Sequence, residues 1–214
     1  NKKIGYDPVT DFTPIINIAA TPNVIAVHPS FPAKDYKGFV AELKKNPGKY
    51  SFSSSGTGGI GHLQTELFKN LSGTFITHIP YRGASPALQG LIAGQVDMMF
   101  DGLGSSAAHI KGGRIKALMV SGSKRNAAFP DVPCSAELGL PDYTVSTWYG
   151  VWAPKGTPAE AQTRAVEEVR KAWLSDESRA VWASQGADFG NLSPAQFGSF
   201  VSAEVKRWEA VVKA

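Results

Sequence analysis

Apolar runs of strand length alternate along most of this chain with stretches whose apolar positions recur three and four residues apart, a pattern that predicts strands followed by amphipathic helices. Residues 23–28 (Asn-Val-Ile-Ala-Val-His) form a strand pattern, and the helical segment 35–45 then puts Phe39, Val40 and Leu43 on one face before Asn46-Pro47-Gly48 stops it. Residues 50–53 read as a second strand. The helix after it gathers Ile60, Leu63, Leu67, Phe68 and Leu71 ahead of Gly73. A third strand at 75–79 leads to a helix with Ser85 as cap, Pro86 near its start and Leu88, Leu91 and Ile92 facing inward, ended by Gly94. Residues 96–100 give a fourth strand, 105–110 a short helix stopped by Gly112-Gly113, and 115–120 a fifth strand. Repeated strand–helix–strand passages predict a parallel sheet covered by helices, so residues 21–123 are expected to form one α/β lobe.

The periodicity breaks near Lys124, where a stretch with Pro130, Pro133, Pro141, Pro154 and Pro158 runs on until Thr157-Pro158 opens another helix. This stretch is expected to be a crossover. Beyond it, Val166, Val169 and Trp173 share a helical face, and Ser193-Pro194 cap a last helix aligning Phe197, Phe200, Val201, Val205 and Trp208. Such helices need a sheet to cover. The remaining strand candidates, near 15–19, 146–153 and 187–189, are too few to complete one. Residues 1–20 and 124–214 are therefore expected to be portions of a first lobe, with part of that lobe outside this sequence. The opening Asn1-Lys2-Lys3-Ile4-Gly5-Tyr6-Asp7-Pro8 has neither an initiator Met nor a strand start, which suggests a cut from a longer precursor.

Composition narrows the class. A chain of 214 residues with 43% hydrophobic and 19% charged residues fills a core and is not a disordered polymer. The formal net charge of +4 suits anionic partners, yet Lys and Arg are spread along the chain with no basic arm or stripe, so nucleic acid is not an expected partner. No apolar run approaches the roughly 20 residues that cross a bilayer. Cys134 is the single cysteine, which rules out an internal disulfide and leaves the compartment open.

Candidate chemistry centres on residues 53–62, Ser-Ser-Ser-Gly-Thr-Gly-Gly-Ile-Gly-His, a turn from a strand into a helix N-terminus. Glycines there expose backbone N–H groups, the helix dipole adds partial positive charge, and hydroxyls add donors, which together make an anion cradle. A tight strand-to-helix turn using glycine only for its geometry is the other reading. Gly56-x-Gly58-x-x-Gly61 also fits the dinucleotide fingerprint, but residues 75–83 lack the acid an NAD site wants. Arg82 keeps open an alternative, an NADP-binding oxidoreductase. The cluster 81–86, headed by Tyr81-Arg82-Gly83, and Asp101-Gly102 follow the third and fourth strands, so three loops can meet on one sheet edge. Arg82 reads equally as a solvated charge, Asp101 as a ligand contact or a helix cap, and His62 as a first-turn helix residue. Nucleophile elbows, zinc motifs, a P-loop lysine and ligand-spaced histidines are all missing from the sequence, so no enzyme and no cofactor are expected.

An ordered set of short motifs runs through nearly the whole chain. It comprises Tyr6-Asp7-Pro8-Val9-x-Asp11-Phe12-Thr13-Pro14-Ile15, Pro22-Asn23-Val24, the Ser55-Gly56-x-Gly58 loop ending in Gly61-His62-Leu63, and Pro80-Tyr81-Arg82-Gly83. Leu91-x-x-Gly94-x-Val96-Asp97, Asp131-Val132-Pro133 and Trp148-Tyr149-Gly150-x-x-Ala153-Pro154 continue it. Together they resemble the Bug family, the periplasmic receptors of tripartite tricarboxylate transporters. The resemblance implies an α/β, type II-like periplasmic binding fold of two lobes joined by crossing segments and closing on a small organic carboxylate, with the first lobe incomplete here. It implies ligand-binding roles for Ser55, Gly56, Thr57, Gly58, Gly59, Tyr81 and Asp101. It further implies a di-, tricarboxylate or amino-acid-like ligand, integral-membrane transporter subunits as partners, a monomer, and a periplasmic location. The signal peptide and a Pro- and Gly-rich carboxylate loop of the family's N-terminal segment would lie outside this sequence.

Overall fold

The computed structural model describes residues 5–190 and 192–213, so the reading of the first four residues falls outside the described residues. The chain divides into two compact units, one holding the described parts of 1–20, 148–183 and 187–214, the other Thr21–Thr147 with Ser184–Gly186.

In the second unit the sheet order is β3-β2-β4-β1-β5, with β1 Phe12–Val27, β2 Ser51–Ser54, β3 Thr77–Pro80, β4 Met98–Gly102 and β5 Lys116–Val120. Here β2 is parallel to β3 and β4, whereas β1 is antiparallel to both β4 and β5. The expected all-parallel sheet is thus a mixed one. Four strands enter through helical crossovers and share a direction, while β1 arrives from residues 12–20 and is free of the crossover constraint. Residues 15–19 and 23–28, read as separate strands, are one, because the residue before a proline is biased to extended backbone and Pro22 itself fits it.

The helices are α1 Tyr36–Lys45, α2 Ile60–Ser72, α3 Ala84–Ile92 and α4 Leu103–Lys111. Asp35 caps α1 by accepting the Gly38 N–H at 2.8 Å. The cap expected at Ser85 falls instead at Gly83, whose φ of 119° makes the turn, and Ser85 lies inside α3. α4 starts directly after β4, two residues earlier than its pattern suggested.

One face of this sheet is covered by aromatic packing: Phe39 of α1, Phe68 of α2, Phe100 of β4 and Tyr143 are all buried, and Phe68 lies 5.1 Å from Phe100 and 6.0 Å from Phe39. The other face packs Ala26 and Met99 against Ala87, Leu88 and Leu91 of α3, and Val24 against Leu103 and Ala107 of α4. Leu71, expected on the inward face of α2, is exposed; the third strand, expected at 75–79, runs from Thr77 to Pro80 at the sheet's edge, and Phe75 precedes it, exposed, over the Lys69 ammonium. The stretch 124–147, expected in the crossover and first lobe, packs with the second unit. Phe129 and Cys134 join the Val24 cluster, Tyr143 enters the aromatic core, and Val120 bridges to Cys134.

In the first unit β6 Ser146–Pro154 and β7 Asp188–Phe189 pair with β1, Ala19 and Ala20 facing Phe189 and Asp188. Three helices complete it: α5 Ala159–Trp173, α6 Asp176–Ser184 and α7 Pro194–Lys213. Phe197 and Val201 of α7 are buried, with Trp148 and Trp152 rings against Phe197, while Val205, aligned with them in the sequence pattern, is exposed. α5 and α6 bury no residue. Among the described residues no helix is long and apolar enough to cross a membrane.

Candidate functional site

Because β2, β3 and β4 are parallel neighbours, their carboxyl ends share one edge of the sheet, and the chain must turn there three times to reach α2, α3 and α4. The first of these turns, residues 55–59, is backed by the second: Tyr81 N–H donates to Ser54 O at 2.9 Å and Gly83 N–H to Ser55 O at 3.1 Å. Gly56 and Gly58 have φ of 144° and 81°, conformations that side chains with a Cβ rarely take, so these glycines are demanded by the turn's path.

The donors divide into used and free. Gly56 N–H reaches Ser54 Oγ at 3.2 Å, Gly58 N–H reaches His62 Nδ1 at 3.1 Å, and Gly59 N–H reaches Gly56 O at 3.3 Å. Among the described residues, the N–H groups of Ser55, Thr57, Ile60 and Gly61 have no hydrogen-bond acceptor. Gly59, the N-cap of α2, supplies no side chain to satisfy the helix's first donors. Ser55, Thr57 and Gly58 are exposed. Free amides, two nearby hydroxyls and the positive end of a helix of 13 residues form a cradle suited to a carboxylate oxygen.

Tyr81 and Asp101 are placed differently. The Tyr81 ring lies on Gly90 of α3, where a Cβ would overlap its hydroxyl, and that hydroxyl is 3.4 Å from Gln95 Oε1. Its backbone borders the turn, since a Cβ on Gly56 would stand 3.7 Å from Tyr81 O. Asp101 is buried on the face that packs α3 and α4, and its Oδ2 accepts the Ser105 and Ser106 hydroxyls at 2.6 and 2.7 Å. Burial pushes its carboxyl above the usual carboxylate range, against the pull of those hydroxyls and of Gly102 N–H.

A raised folded-state value means that ionising Asp101 costs more in the fold than in the unfolded chain. The group's contribution to stability is greatest below the unfolded carboxylate value of about 3.9 and declines as pH rises through the folded value. Asp101→Asn keeps an acceptor for both hydroxyls and removes that charge. It is expected to melt at or above wild type at pH 7, the difference closing as pH falls toward about 4. A variant less stable at pH 7 than at acid pH, relative to wild type, would show that the fold uses the ionised carboxylate.

The sequence reading missed a buried polar network on the same sheet edge. Gln64 Oε1 accepts Asn23 Nδ2 at 2.7 Å and the Tyr143 hydroxyl at 3.2 Å, Thr147 Oγ1 donates to Asn23 Oδ1 at 2.9 Å, and Asn23 N–H reaches Ser121 Oγ at 2.8 Å. It pins α2 one turn past the cradle. Its signal was a glutamine on the apolar face of α2, next to Leu63 and Phe68. An open hollow of about 640 Å³ lies elsewhere, in the first unit between Pro8, Pro14 and α7, and has none of these donors. No cluster of metal-ligating side chains occurs among the described residues.

Comparison with known proteins follows the same direction. Residues 1–214 match the family described as the tripartite tricarboxylate transporter family receptor. BugT of Bordetella pertussis is 32% identical over 98% of this chain, which spans 64% of BugT's length. Among solved structures, Rpa4515 of R. palustris with adipate is 37% identical with a TM-score of 0.93, covering 99% of this chain and 71% of that one. MatC from Rhodopseudomonas palustris with bound malate is 30% identical with a TM-score of 0.92, covering 98% and 72%. The structure of the periplasmic binding protein BugD is likewise 30% identical, with a TM-score of 0.92, covering 98% of this chain and 71% of that one. With the mixed α/β fold, the match along its full length and these likenesses together, the chain belongs to the Bug-type receptors of the tripartite tricarboxylate transporter family.

Proposed function

We propose that the protein is a periplasmic receptor that captures a small organic carboxylate, a di- or tricarboxylate or an amino-acid-like anion, and as a monomer delivers it to integral-membrane transporter subunits. The observation that carries this reading is the cradle at the start of α2, where Ser55, Thr57, Ile60 and Gly61 offer free backbone donors under a helix dipole. Adipate and malate in the two structural neighbours support the ligand class. Ser55, Gly56, Thr57, Gly58 and Gly59 are assigned to one ligand carboxylate. Tyr81 contributes through its main chain, and Asp101 acts first on α4, because its Oδ2 is taken by two serines.

Thermal denaturation with a panel of adipate, malate, succinate, citrate and glutamate tests the reading. A ligand at a hundred times its Kd raises stability by about 2.7 kcal/mol, so at least one acid is expected to shift the transition clearly. A shift by NADP alone, with every carboxylate inert, would replace the receptor reading with the oxidoreductase one.

A further inference from the structure

Behind the 55–59 turn two imidazoles lie face to face. His62, in the first turn of α2, and His78 of β3 have ring centroids 4.1 Å apart and planes 9° from parallel, and Phe52 stacks on His78 at 4.7 Å. His62 Nδ1 accepts the Gly58 N–H at 3.1 Å, which requires that nitrogen to carry no proton. His78 Nε2 is 2.6 Å from Ser54 Oγ, and Ser54 Oγ in turn takes the Gly56 N–H at 3.2 Å. Both turn glycines with positive φ therefore give their amide hydrogens to acceptors that an imidazole provides or anchors. Thr57, between them, keeps a free N–H.

We infer that His62 is a positioning residue of the binding turn: neutral, it holds Gly58 and so presents the Thr57 amide, and protonated, it releases Gly58, which couples carboxylate affinity to the protonation of the His62–His78 pair. This rests on the turn being the ligand site. A proton on His62 Nδ1 would set two N–H groups against each other across the present contact, and the turn would have to move. Neighbouring groups oppose one another. On α2, Glu66 Oε1 faces His62 Nε2 at 3.8 Å, and Lys69 Nζ lies 2.8 Å from the same carboxylate. From β3, His78 resists a second charge, and β2 faces the pair with the uncharged Ser54 and Phe52. Burial first, then the neighbouring His62 ring, holds the His78 pKa below the usual imidazole range.

The test uses the receptor with its best carboxylate from the panel, and amide NMR without ligand. In wild type the Gly58 amide signal is expected to follow the His62 ring signals through a pH titration, and affinity to fall several-fold as that ring takes up its proton. His62→Ala removes the acceptor and is expected to weaken binding about tenfold at pH 7.5, one uncompensated hydrogen bond's worth. His62→Asn, whose Oδ1 takes the place of Nδ1 without titrating there, is expected to bind within about threefold of wild type and with a flattened pH profile. A Gly58 signal indifferent to His62, or equal weakening by Ala and Asn, overturns the inference. Should no carboxylate stabilise the wild type, the receptor reading fails on its own, and the amide titration alone still decides whether His62 holds the turn.

Discussion

Replacing Phe68 by alanine is expected to cost about 3–5 kcal/mol, the largest loss for any single side chain of α2. Phe68 is fully buried, and its ring meets Phe39 of α1 at 6.0 Å, Phe100 of β4 at 5.1 Å and Tyr143 at 6.1 Å. These neighbours sit on a helix, a central strand and a long connection, so they cannot all close on the hole, and a cavity remains that adds to the lost transfer free energy. Urea unfolding measures the loss. Phe75→Ala serves as the contrast: its ring is 55% exposed, and the change should stay within about 0.5 kcal/mol of wild type. A Phe68 variant that loses less than about 1.5 kcal/mol would mean that the aromatic cluster is not the centre of this unit's core.

That contrast shows where the sequence could be read and where it could not. Phe68 and Phe75 look alike as apolar residues near a helix and a strand, but Phe68 belongs to a repeating face, whereas Phe75 stands just ahead of an edge strand that has a neighbour on one side only. Local periodicity reports the elements well, which is why α1, α2, α3 and the strands β2, β4 and β5 emerge close to their observed places. It does not report strand direction. The antiparallel run of β1 depends on the chain coming from residues 12–20, and Pro22, which looks like a break, is compatible with the extended path. The stretch 124–147 has no period at all, and its attachment rests on single side chains, Phe129, Cys134 and Tyr143, each filling a place made by distant residues.

The candidate site was legible in its backbone and not in its side chains. Glycines and serines crowded between a strand and a helix announce a turn rich in free donors, and positive φ at Gly56 and Gly58 is the physical reason for two of them. The ligand role of Tyr81 comes from the family resemblance and not from the residue pattern, and the place of its ring against Gly90 of α3, a space created by a missing Cβ, has no sequence period either. His62 and His78 are separated along the chain by a helix and meet only because β3 lies beside β2. No spacing rule would pair them.

Gly61 shows how tightly the turn is tied to the sheet, and Gly61→Val is expected to cost about 3 kcal/mol and to weaken carboxylate binding at least about tenfold. In an ordinary helix, glycine is about 1 kcal/mol worse than alanine, so local propensity alone says that even Gly61→Ala should stabilise α2. The packing says the opposite. A Cβ at position 61 would lie 3.0 Å from Phe100 O and 3.6 Å from the Ser54 Cβ. That carbonyl cannot retreat freely, because Phe100 is paired with Ile25 in the ladder between β1 and β4. The start of α2 must lift instead, and it carries the free amides of Ile60 and Gly61 and the His62 acceptor with it. Alanine should therefore lower stability, and valine, with two further methyl groups branching at that Cβ, should lower it more and displace the cradle. Urea unfolding and carboxylate titration on both variants check the order wild type, alanine, valine in each measurement. An alanine variant more stable than wild type would show that helix propensity outweighs the contact with β4, and the rigid seat proposed for the cradle would be lost.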